Sequence, residues 1–425
     1  MPNNLNTRIF RLSPALKKTF RSLQKYNYRI WAAGTLVSNI GTWMQRIAQD
    51  WLVLTDLTEH SGTAVGVVMA LQFGPPIVLM PLAGWVVDHC DRRKVLIVTQ
   101  TALAATALSL GLLVLSGHVA LWHVYVFAGC VGCITAFDSP ARQTFVSELV
   151  GDSDLPNAVG LNSSLFNGAQ LIGPAVAGLL ITAIGAGWVF VINGLSFLAV
   201  ITSLTGMRVD ELYRPRHHEG AAAPAVRGGI LSGLRYLKTR PDLLIALAML
   251  FLLSTYGLNF PIFISTMAVT TFHGGAHTYG ALSSMMAIGS ILGALHVAGR
   301  SHPSLNVLIV SAFGFGVVGT LAAVMPHQAS FGLMLIGLGI MAQVFNTSTN
   351  SLVQLSTHPS MRGRVMAIYM GIFLGCTPLG APLVGWIADA YGPRWALGVG
   401  AASGFVAALV GVVYQARTRN KARPE

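Results

Sequence analysis

Apolar residues recur along this chain in twelve long segments that are separated by short polar stretches. Each segment approaches or exceeds the ~20 residues that an α-helix needs to cross a bilayer. The strands of a membrane barrel would instead give shorter segments of alternating polarity. The pattern predicts an all-α membrane protein whose transmembrane helices cover residues 28–54, 64–87, 95–115, 121–142, 157–184, 188–207, 243–271, 278–298, 305–324, 331–351, 364–388 and 395–414.

The composition supports a membrane protein, because 53% of the residues are hydrophobic and only 10% are charged. Soluble domains carry roughly 25% charged residues. A net charge of +12 would indicate nucleic-acid binding in a soluble protein. In a membrane protein the basic residues mark the cytoplasmic side, so we expect membrane lipids, and no nucleic acid, as partners.

The positions of the basic residues predict the orientation. Of the 27 Lys and Arg residues, all but Arg46, Arg142 and Arg394 lie on one side of the twelve predicted spans. By the positive-inside rule, both termini are then cytoplasmic in a multi-pass protein of the inner (plasma) membrane. The first 27 residues are polar and basic, so we expect no cleavable signal peptide.

The chain divides into five expected segments. Two basic amphipathic helices are predicted, one around Leu16, Phe20 and Leu23 and one around Leu234 and Leu237. Such helices bind the surface of anionic membranes, and a partner protein is the alternative. The segments are a cytoplasmic N-terminal segment with an amphipathic helix (1–27), a six-helix bundle (28–207), a cytoplasmic linker (208–240), a second six-helix bundle (241–415) and a basic tail (416–425).

The two halves resemble each other at an offset of about 208 residues. Phe137-Asp138 corresponds to Phe345-Asn346, and Pro174 corresponds to Pro382; at the same offset Arg92 corresponds to Arg300. Parallel repeats of this kind are typical of transporters whose two bundles rock around a central site. The repeat therefore predicts two pseudo-symmetric six-helix bundles.

The loop after the second segment, GWVVDHCDRRKVL, resembles the loop signature of the major facilitator superfamily. The residues that match that signature are Gly84, Asp88, Arg92, Arg93 and Leu96. Two residues, His89 and Asp91, depart from it. Three further stretches are similar to the enterobactin-exporter and macrolide-efflux branch of drug:proton antiporters: FDSPARQTFVSELV, NAVGLNSSLFNGAQLIGPAVAG and RGRVMAIYMGIFLGCTPLGAPLVGW.

The resemblance implies a monomeric secondary transporter with the major facilitator fold. It implies export of small hydrophobic, siderophore-like or drug-like molecules, with protons as the coupling ion and alternating access as the mechanism. Uptake symport or facilitated diffusion is the alternative within transport, and a membrane-embedded enzyme or receptor is the alternative outside it. Because the phosphate-binding GxxxxGK(S/T) motif is absent, ATP coupling within the chain is not expected.

The resemblance also implies a cytoplasmic gating cluster. In the family, the loop arginine pairs with an acid at the cytoplasmic end of the fourth helix, which points to Arg92 with Asp138, and the loop acid faces the start of the eleventh helix, which places Asp88 near residues 361–365. Asp138 and Arg142 are four residues apart and can pair. The expected gating set is Gly84, Asp88, Arg92, Arg93, Asp138 and Arg142.

The fifth and eleventh helices carry Gly and Pro, which permit close helix approach and bends. The expected positions are Gly173, Pro174, Gly178, Pro378, Gly380 and Pro382. In antiporters of the family a GP-centred motif occupies the fifth helix, and the glycine spacing here departs from it. Export is therefore favoured by the branch resemblance more than by this motif.

The first helix carries the strongest candidate for transport chemistry. Its polar stripe includes Asn39, Gln45, Arg46, Gln49 and Asp50, and a charge at mid-membrane costs about 2.5–3.5 kcal/mol on insertion scales. Arg46 and Asp50 lie one helical turn apart and can pair. They either line an aqueous cavity that binds substrate or protons, or form a salt bridge between helices.

A second set of amides extends the candidate pathway into other helices. These side chains either line a cavity or bridge helices by hydrogen bonds. They are Asn167, Gln170, Asn259, Gln343 and Asn346. We expect no catalytic residue, cofactor or metal: the Cys130–Cys133 and His273–His277 pairs are better explained by helix packing and by an outer loop than by metal binding.

Overall fold

The computed structural model describes residues 20–151, 153–213, 229–298 and 304–421, and within them the secondary structure is helical throughout. Twelve long helices follow one another. Their bounds are α1 Tyr26–Leu52, α2 Gly62–His89, α3 Arg92–Leu115, α4 Leu121–Val150, α5 Leu155–Ile184, α6 Ala186–Thr205, α7 Pro241–Thr271, α8 Ala276–Ala298, α9 Leu305–Val324, α10 Gln328–Ser356, α11 Arg362–Tyr391 and α12 Pro393–Lys421.

Among the described residues, eleven of these helices are long and apolar enough to cross a membrane. The remaining one is α1, which has 27 residues. It is long enough to span, but its polar stripe lowers its hydropathy. The protein is therefore a multi-pass membrane protein in which the least apolar helix is the one with the candidate transport residues.

Several helices extend beyond the predicted spans. α4 continues to Val150 and α10 to Ser356, past the apolar segments that end at residues 142 and 351. The extra turns, QTFVSELV and LVQLS, mix polar with apolar residues, so hydropathy alone does not mark where these helices end. α5 and α11 both end at a glycine with positive φ, Gly185 (87°) and Gly392 (98°), a backbone conformation that glycine adopts without a Cβ clash.

The short connections make consecutive helices antiparallel, so we call the side where α1 begins and α12 ends the terminal face and the other side the opposite face. Within the first half, α1 packs on α5 and α6, and α3 packs on α4 and α6. Within the second half, α10 packs on α8 and α9, and α9 packs on α12. The two bundles meet mainly where α2 contacts α11 and α5 contacts α8.

The two bundles are in close contact near the opposite face. A Cβ on Gly385 of α11 would lie 2.2 Å from the carbonyl oxygen of Gly62, and one on Gly66 would lie 2.4 Å from the carbonyl oxygen of Ala381. A Cβ on Gly280 of α8 would lie 2.3 Å from the carbonyl oxygen of Pro174. Backbone thus packs directly on backbone, and only glycine fits.

The carboxylate of Asp389 reinforces this closure. It belongs to α11 and accepts hydrogen bonds from the start of α2 in the other bundle: the backbone N–H groups of Gly62 (2.5 Å) and Thr63 (2.9 Å), and the hydroxyls of Ser61 (2.9 Å) and Thr63 (2.5 Å). The first N–H groups of a helix lack intrahelical partners and favour a negative charge. Asp389 therefore caps a helix of the other bundle.

Toward the terminal face the same helices separate. Gly74 and Gly84 of α2, and Gly363 and Gly371 of α11, have no atom within 4 Å of a built Cβ. The molecule is therefore closed at the opposite face and open at the terminal face.

The segment between the bundles contains the predicted second amphipathic helix, which runs from Gly229 to Lys238. Its Leu237 is buried, and Gly233 packs against Arg364 and Ile368 of α11. This helix therefore rests on the second bundle. Ahead of α1 the chain forms a short 3-10 helix, Arg21–Gln24. The predicted amphipathic position Leu16, like Arg300 of the repeat, lies outside the described residues.

Candidate substrate site

A cavity of about 370 Å³ lies between the two bundles. Both bundles contribute polar side chains to its wall, and aromatic and aliphatic side chains fill the space between them. The polar lining residues are Arg46, Gln49 and Asp50 of α1, Gln72 of α2, Gln170 of α5, Tyr279, Ser283 and Ser290 of α8, Gln343 and Asn346 of α10, and Thr377 of α11. The apolar lining includes Trp43, Phe73, Leu258, Phe260, Met286 and Phe373.

Asp50 is buried in this wall and contacts the other bundle. The hydroxyl of Tyr279 on α8 donates a hydrogen bond to its Oδ2 at 2.7 Å. The two residues are 7% and 1% exposed, so water does not compete freely for this bond. The bond joins α1 to α8, and the charge on Asp50 decides how strong it is, because a carboxylate is a stronger acceptor than a neutral carboxyl group.

Of the two alternatives for Arg46, the structure shows the cavity lining and not the salt bridge. Its guanidinium lies 4.6 Å from the centre of the Trp43 ring and 5.7 Å from that of Phe73, in the range of cation–π attraction. No ion pair within 4.0 Å and no hydrogen bond to Arg46 occurs among the described residues. The helical spacing brings Arg46 and Asp50 to the same cavity, but Asp50 bonds to Tyr279 instead.

The predicted amides separate into two groups. Gln49, Gln170, Gln343 and Asn346 line the cavity. Gln343 donates to the hydroxyl of Thr347 at 3.0 Å. Asn346 has a side-chain oxygen that is buried without a hydrogen-bond partner.

The other four predicted pathway residues do not line the cavity. Gln45 faces α6, where it accepts a hydrogen bond from Asn193 at 2.5 Å, so it bridges helices. Asn259 donates to the Thr255 carbonyl at 2.7 Å, beside the interruption of α7 at residues 258–259. Asn39 and Asn167 are half-buried outside the cavity lining.

The gating charges have partners other than those the resemblance implied. Arg92 forms its ion pair with Glu148 near the end of α4, and the expected Arg92–Asp138 pair is wrong for this conformation. Asp138 accepts hydrogen bonds from Thr99 and Gln100 of α3, both at 2.7 Å. The reason is the position along the helices. Arg92 starts α3 beside Glu148, which lies near the end of α4. Asp138 lies ten residues, or about 15 Å, before Glu148 along α4, so it is farther from the terminal face.

Asp138 also pairs with Arg142 as predicted, at 3.1 Å. The Arg142 guanidinium lies 5.3 Å from the centre of the Trp31 ring on α1. These contacts all stay inside the first bundle. The cluster therefore ties α3, α4 and α1 together, and among the described residues it forms no bond to the second bundle.

The remaining residues of the loop signature are at the open face. Asp88 is exposed and does not reach residues 361–365, because α2 and α11 have separated there and Gly84 borders open space. Arg93 donates to the carbonyl of Leu204 at 2.7 Å, which anchors the start of α3 to the end of α6.

The predicted Gly and Pro positions are contact points between helices. A Cβ on Gly173 would lie 2.5 Å from the Cβ of Trp43, and one on Gly178 would lie 2.7 Å from the carbonyl oxygen of Ala276. A Cβ on Gly380 would lie 1.7 Å from the carbonyl oxygen of Thr255. Pro174 of α5, like Pro378 and Pro382 of α11, lies inside a helix that continues past it.

Sequence reasoning missed Tyr279, Gln72, Glu148 and Asp389. Glu148 and Asp389 carry a detectable signal, since each is an acid near the end of an apolar segment. Tyr279 and Gln72 carry none, because a single polar atom in an apolar helix does not indicate its partner. In the described part of the chain, no group of three or more His, Cys, Asp and Glu side chains is placed to hold a metal ion.

The profile of the major facilitator family described as transmembrane secretion effectors matches residues 12–423. The chain belongs to this family. The resemblance that the loop signature and the three further stretches indicated is thus confirmed.

Characterised relatives agree with this membership. The chain is 25% identical over 362 residues to the staphyloferrin A transporter of Staphylococcus aureus (strain NCTC 8325 / PS 47), which covers 83% of the chain and 87% of that protein. It is 27% identical over 374 residues to the multidrug efflux pump Tap of Mycolicibacterium fortuitum (84% and 88%). It is 26% identical over 396 residues to macrolide efflux protein A of Streptococcus pyogenes (87% and 92%).

Solved structures confirm the fold. The nucleoside transporter NupG superposes with a TM-score of 0.71 at 15% identity, covering 91% of this chain and 98% of that chain. The D-xylose-proton symporter superposes with a TM-score of 0.67 at 14% identity (94% and 97%). The predicted major facilitator fold is therefore confirmed, and the chain is a member of a transporter family.

Proposed function

We propose that this protein exports small amphiphilic molecules, of siderophore-like or drug-like kind, from the cytoplasm in exchange for protons. The observation that carries the proposal is the Asp50–Tyr279 bond in the central cavity. It places a buried acid, which can hold or release a proton, on the contact between the two bundles that must part when the opposite face opens. The names of the relatives, two of which are efflux proteins, support export.

The proposed cycle starts in the conformation described above, with the terminal face on the cytoplasmic side. Substrate enters the cavity from the cytoplasm and displaces the Tyr279 hydroxyl from ionised Asp50. The contacts at the opposite face then part and substrate leaves. A proton from outside binds Asp50, the protonated carrier returns, and Asp50 releases the proton to the cytoplasm when the next substrate binds. A monomer suffices for this cycle, because both bundles are present in one chain.

The central test uses the purified full chain in proteoliposomes with an imposed pH gradient. Wild-type protein should accumulate a fluorescent substrate against its gradient when protons flow the other way. Asp50→Asn should abolish this uphill transport while downhill exchange persists. Asp56→Asn is the matched control, because Asp56 is an exposed acid just after α1. Undiminished uphill transport by Asp50→Asn would remove Asp50 from the coupling mechanism, and substrate movement in the same direction as protons would indicate symport.

The orientation requires a separate test. A reporter that is active only outside the cytoplasm, fused after Tyr414, should stay silent. The same reporter inserted in the loop at residues 325–327, between α9 and α10 on the opposite face, should be active. The reverse pattern would place the terminal face outside and turn the proposed exporter into an importer.

A further inference from the structure

The guanidinium of Arg46 is a charged group in the cavity wall without a protein acceptor. Two aromatic rings cover part of it, and no hydrogen bond or ion pair satisfies its N–H groups in the part of the chain that the structure describes. Arginine carries five N–H donors, accepts no hydrogen bond and stays protonated in proteins. Arg46 is half-buried and lines the cavity, so a ligand group that accepts hydrogen bonds can bind its N–H groups from there.

Asp50 provides the complementary group in the same wall. Tyr279 occupies its Oδ2 atom, and the carboxylate lines the same cavity as Arg46. Residues four apart on a helix have Cβ atoms about 5–6 Å apart. The wall therefore presents a hydrogen-bond donor and an acceptor of opposite charge within reach of one small ligand headgroup.

The charges also determine which ligands can exchange with a proton. Exchange requires that substrate and proton compete for the same site. The competition is reciprocal, because bound substrate lowers the affinity for the proton by the same factor as the bound proton lowers the affinity for substrate. A purely anionic ligand on Arg46 binds better when Asp50 is protonated, because ionised Asp50 repels it; this coupling favours cotransport. A purely cationic ligand on Asp50 competes with the proton but is repelled by Arg46. A dipolar ligand satisfies both groups, and it does so only when Asp50 is ionised.

The rest of the cavity fits an apolar body on such a headgroup. Phe260, Met286 and Phe373 of the second bundle line it. The Trp43 and Phe73 rings lie 4.6 Å and 5.7 Å from the guanidinium and give it no hydrogen-bond acceptor. A planar acceptor such as a carboxylate, amide or ester suits an arginine fork, which binds it through two parallel hydrogen bonds.

We infer that the cavity selects dipolar amphiphiles, with an acceptor or anionic group on Arg46 and a donor or cationic group that replaces the Tyr279 hydroxyl on Asp50. This inference rests on the proposed exchange of substrate for protons, and it makes Arg46 a specificity-determining residue. A purely structural Arg46 would serve only to hold the Trp43 and Phe73 rings.

The test compares three fluorescent probes that share one apolar body. They are Nε-dansyl-lysine, which is zwitterionic, its α-carboxamide, which is cationic, and its Nα-acetyl derivative, which is anionic. Binding to the purified full chain in nanodiscs at pH 6.5 is followed by dansyl fluorescence. The zwitterion should bind roughly tenfold or more tightly than either relative, since one charge-assisted hydrogen bond contributes that much. Its binding should release protons, which an indicator dye detects.

The variants separate recognition from structure. Arg46→Gln should weaken binding of the zwitterion and the anion but not of the cation, and Arg46→Lys should restore part of the affinity. Asp50→Asn should weaken binding of the zwitterion and cation and abolish proton release. Arg29→Gln is the control, because Arg29 is on the same helix and lies over the Tyr26 ring at 5.9 Å, outside the cavity; all three affinities should match the wild type.

Three results would overturn the inference: no saturable binding of the zwitterion, equal affinity for zwitterion and anion, or equal losses for all three probes in Arg46→Gln. The last result would assign Arg46 a structural role. Failure of the proposed function is distinguishable. Absence of pH-driven transport together with the expected probe pattern would reject proton exchange alone, whereas pH-driven transport without the probe pattern would reject the dipolar headgroup alone.

Discussion

The two ends of the interface between the bundles are held by different interactions. At the opposite face, glycine Cα atoms pack against carbonyl oxygens of the other bundle, and Asp389 caps α2 across the interface. At the terminal face, the charges of Arg92 and Asp138 are neutralised inside the first bundle. The contacts at the opposite face exist only while that face is closed, whereas the charges at the terminal face keep their ion-pair partners while it is open. Opening and closing therefore have different structural determinants at the two faces.

The largest effect is expected where backbone packs on backbone. Gly385→Val places a side chain 2.2 Å from the carbonyl oxygen of Gly62, and neither backbone can yield. Overpacking costs about 1–3 kcal/mol when side chains can adjust, and we expect the upper end or more here. The present conformation should become a minor species and transport should fall about a hundredfold. Distances between spin labels on α2 and α11 near the opposite face would report the change.

Gly398→Val is the control for this substitution, because Gly398 of α12 faces open space. Its label distances and transport should equal those of the wild type. If Gly385→Val leaves the distances short in folded protein, the glycine contacts do not control closure.

Asp138→Asn should act on stability more than on conformation. The substitution leaves Arg142 partly buried without its ion-pair partner. Breaking a buried pair costs about 3–5 kcal/mol, and partial exposure of Arg142 places this case at or below the low end. We expect a lower Tm with unchanged label distances at the terminal face. A change in those distances at unchanged Tm would restore the gating role that the family resemblance implied for Asp138.

Asp389→Asn should shift the conformational equilibrium moderately. It removes the charge that the start of α2 favours but keeps one acceptor oxygen, and a helix cap contributes about 0.5–2 kcal/mol. We expect the open-to-closed ratio at the opposite face to rise by about three- to tenfold in the label distances. Glu59→Gln is the control, since Glu59 is an exposed acid in the loop that leads into α2. An equal shift in both variants would indicate a general charge effect.

The smallest effect is expected at the ion pair between Lys25, just before α1, and Asp154, just before α5. The hydrogen bond from Lys25 lowers the pKa of Asp154 below its ordinary value of 3.8. The folded state therefore gains stability from this contact above the ordinary pKa, and loses it as the pH falls through the lowered pKa. Asp154→Asn should lower the Tm slightly at neutral pH, and the two melting curves should converge in strong acid. A difference in Tm that is the same at every pH would exclude this charge effect.

The sequence predicted the fold and half of the site, because both leave local signals. Twelve apolar runs and a repeat are visible along the chain, and a charged pair in a polar stripe of a membrane helix indicates a cavity. Arg46 and Asp50 do line the cavity, and their roles in transport stay predictions. Gln45 shows the limit of the same signal, since a buried amide that bridges α1 to α6 has the same pattern as one that lines a cavity.

The partners could not be predicted in the same way. Tyr279 lies 229 residues from Asp50, and one hydroxyl in an apolar helix does not indicate what it contacts. For Arg46 and Asp50, spacing alone suggested a pair, but Tyr279 and the aromatic rings hold the two side chains instead. For Arg92, the helix rise of 1.5 Å per residue places Asp138 too far from the terminal end of α4 to reach it. The sequence did not predict this, because the apolar segment ends at residue 142 while α4 continues to Val150.

The contact between Arg46 and Trp43 gives the protein an internal optical reporter. Indole emission depends on nearby charge and on solvent, and Trp43 is one of eight tryptophans but lies in the cavity wall, 4.6 Å from the guanidinium. A ligand that draws Arg46 away from the ring should change the colour and intensity of that emission. The difference spectrum between the wild type and Trp43→Phe would then follow occupancy of the cavity in unlabelled protein, on the timescale of each turnover.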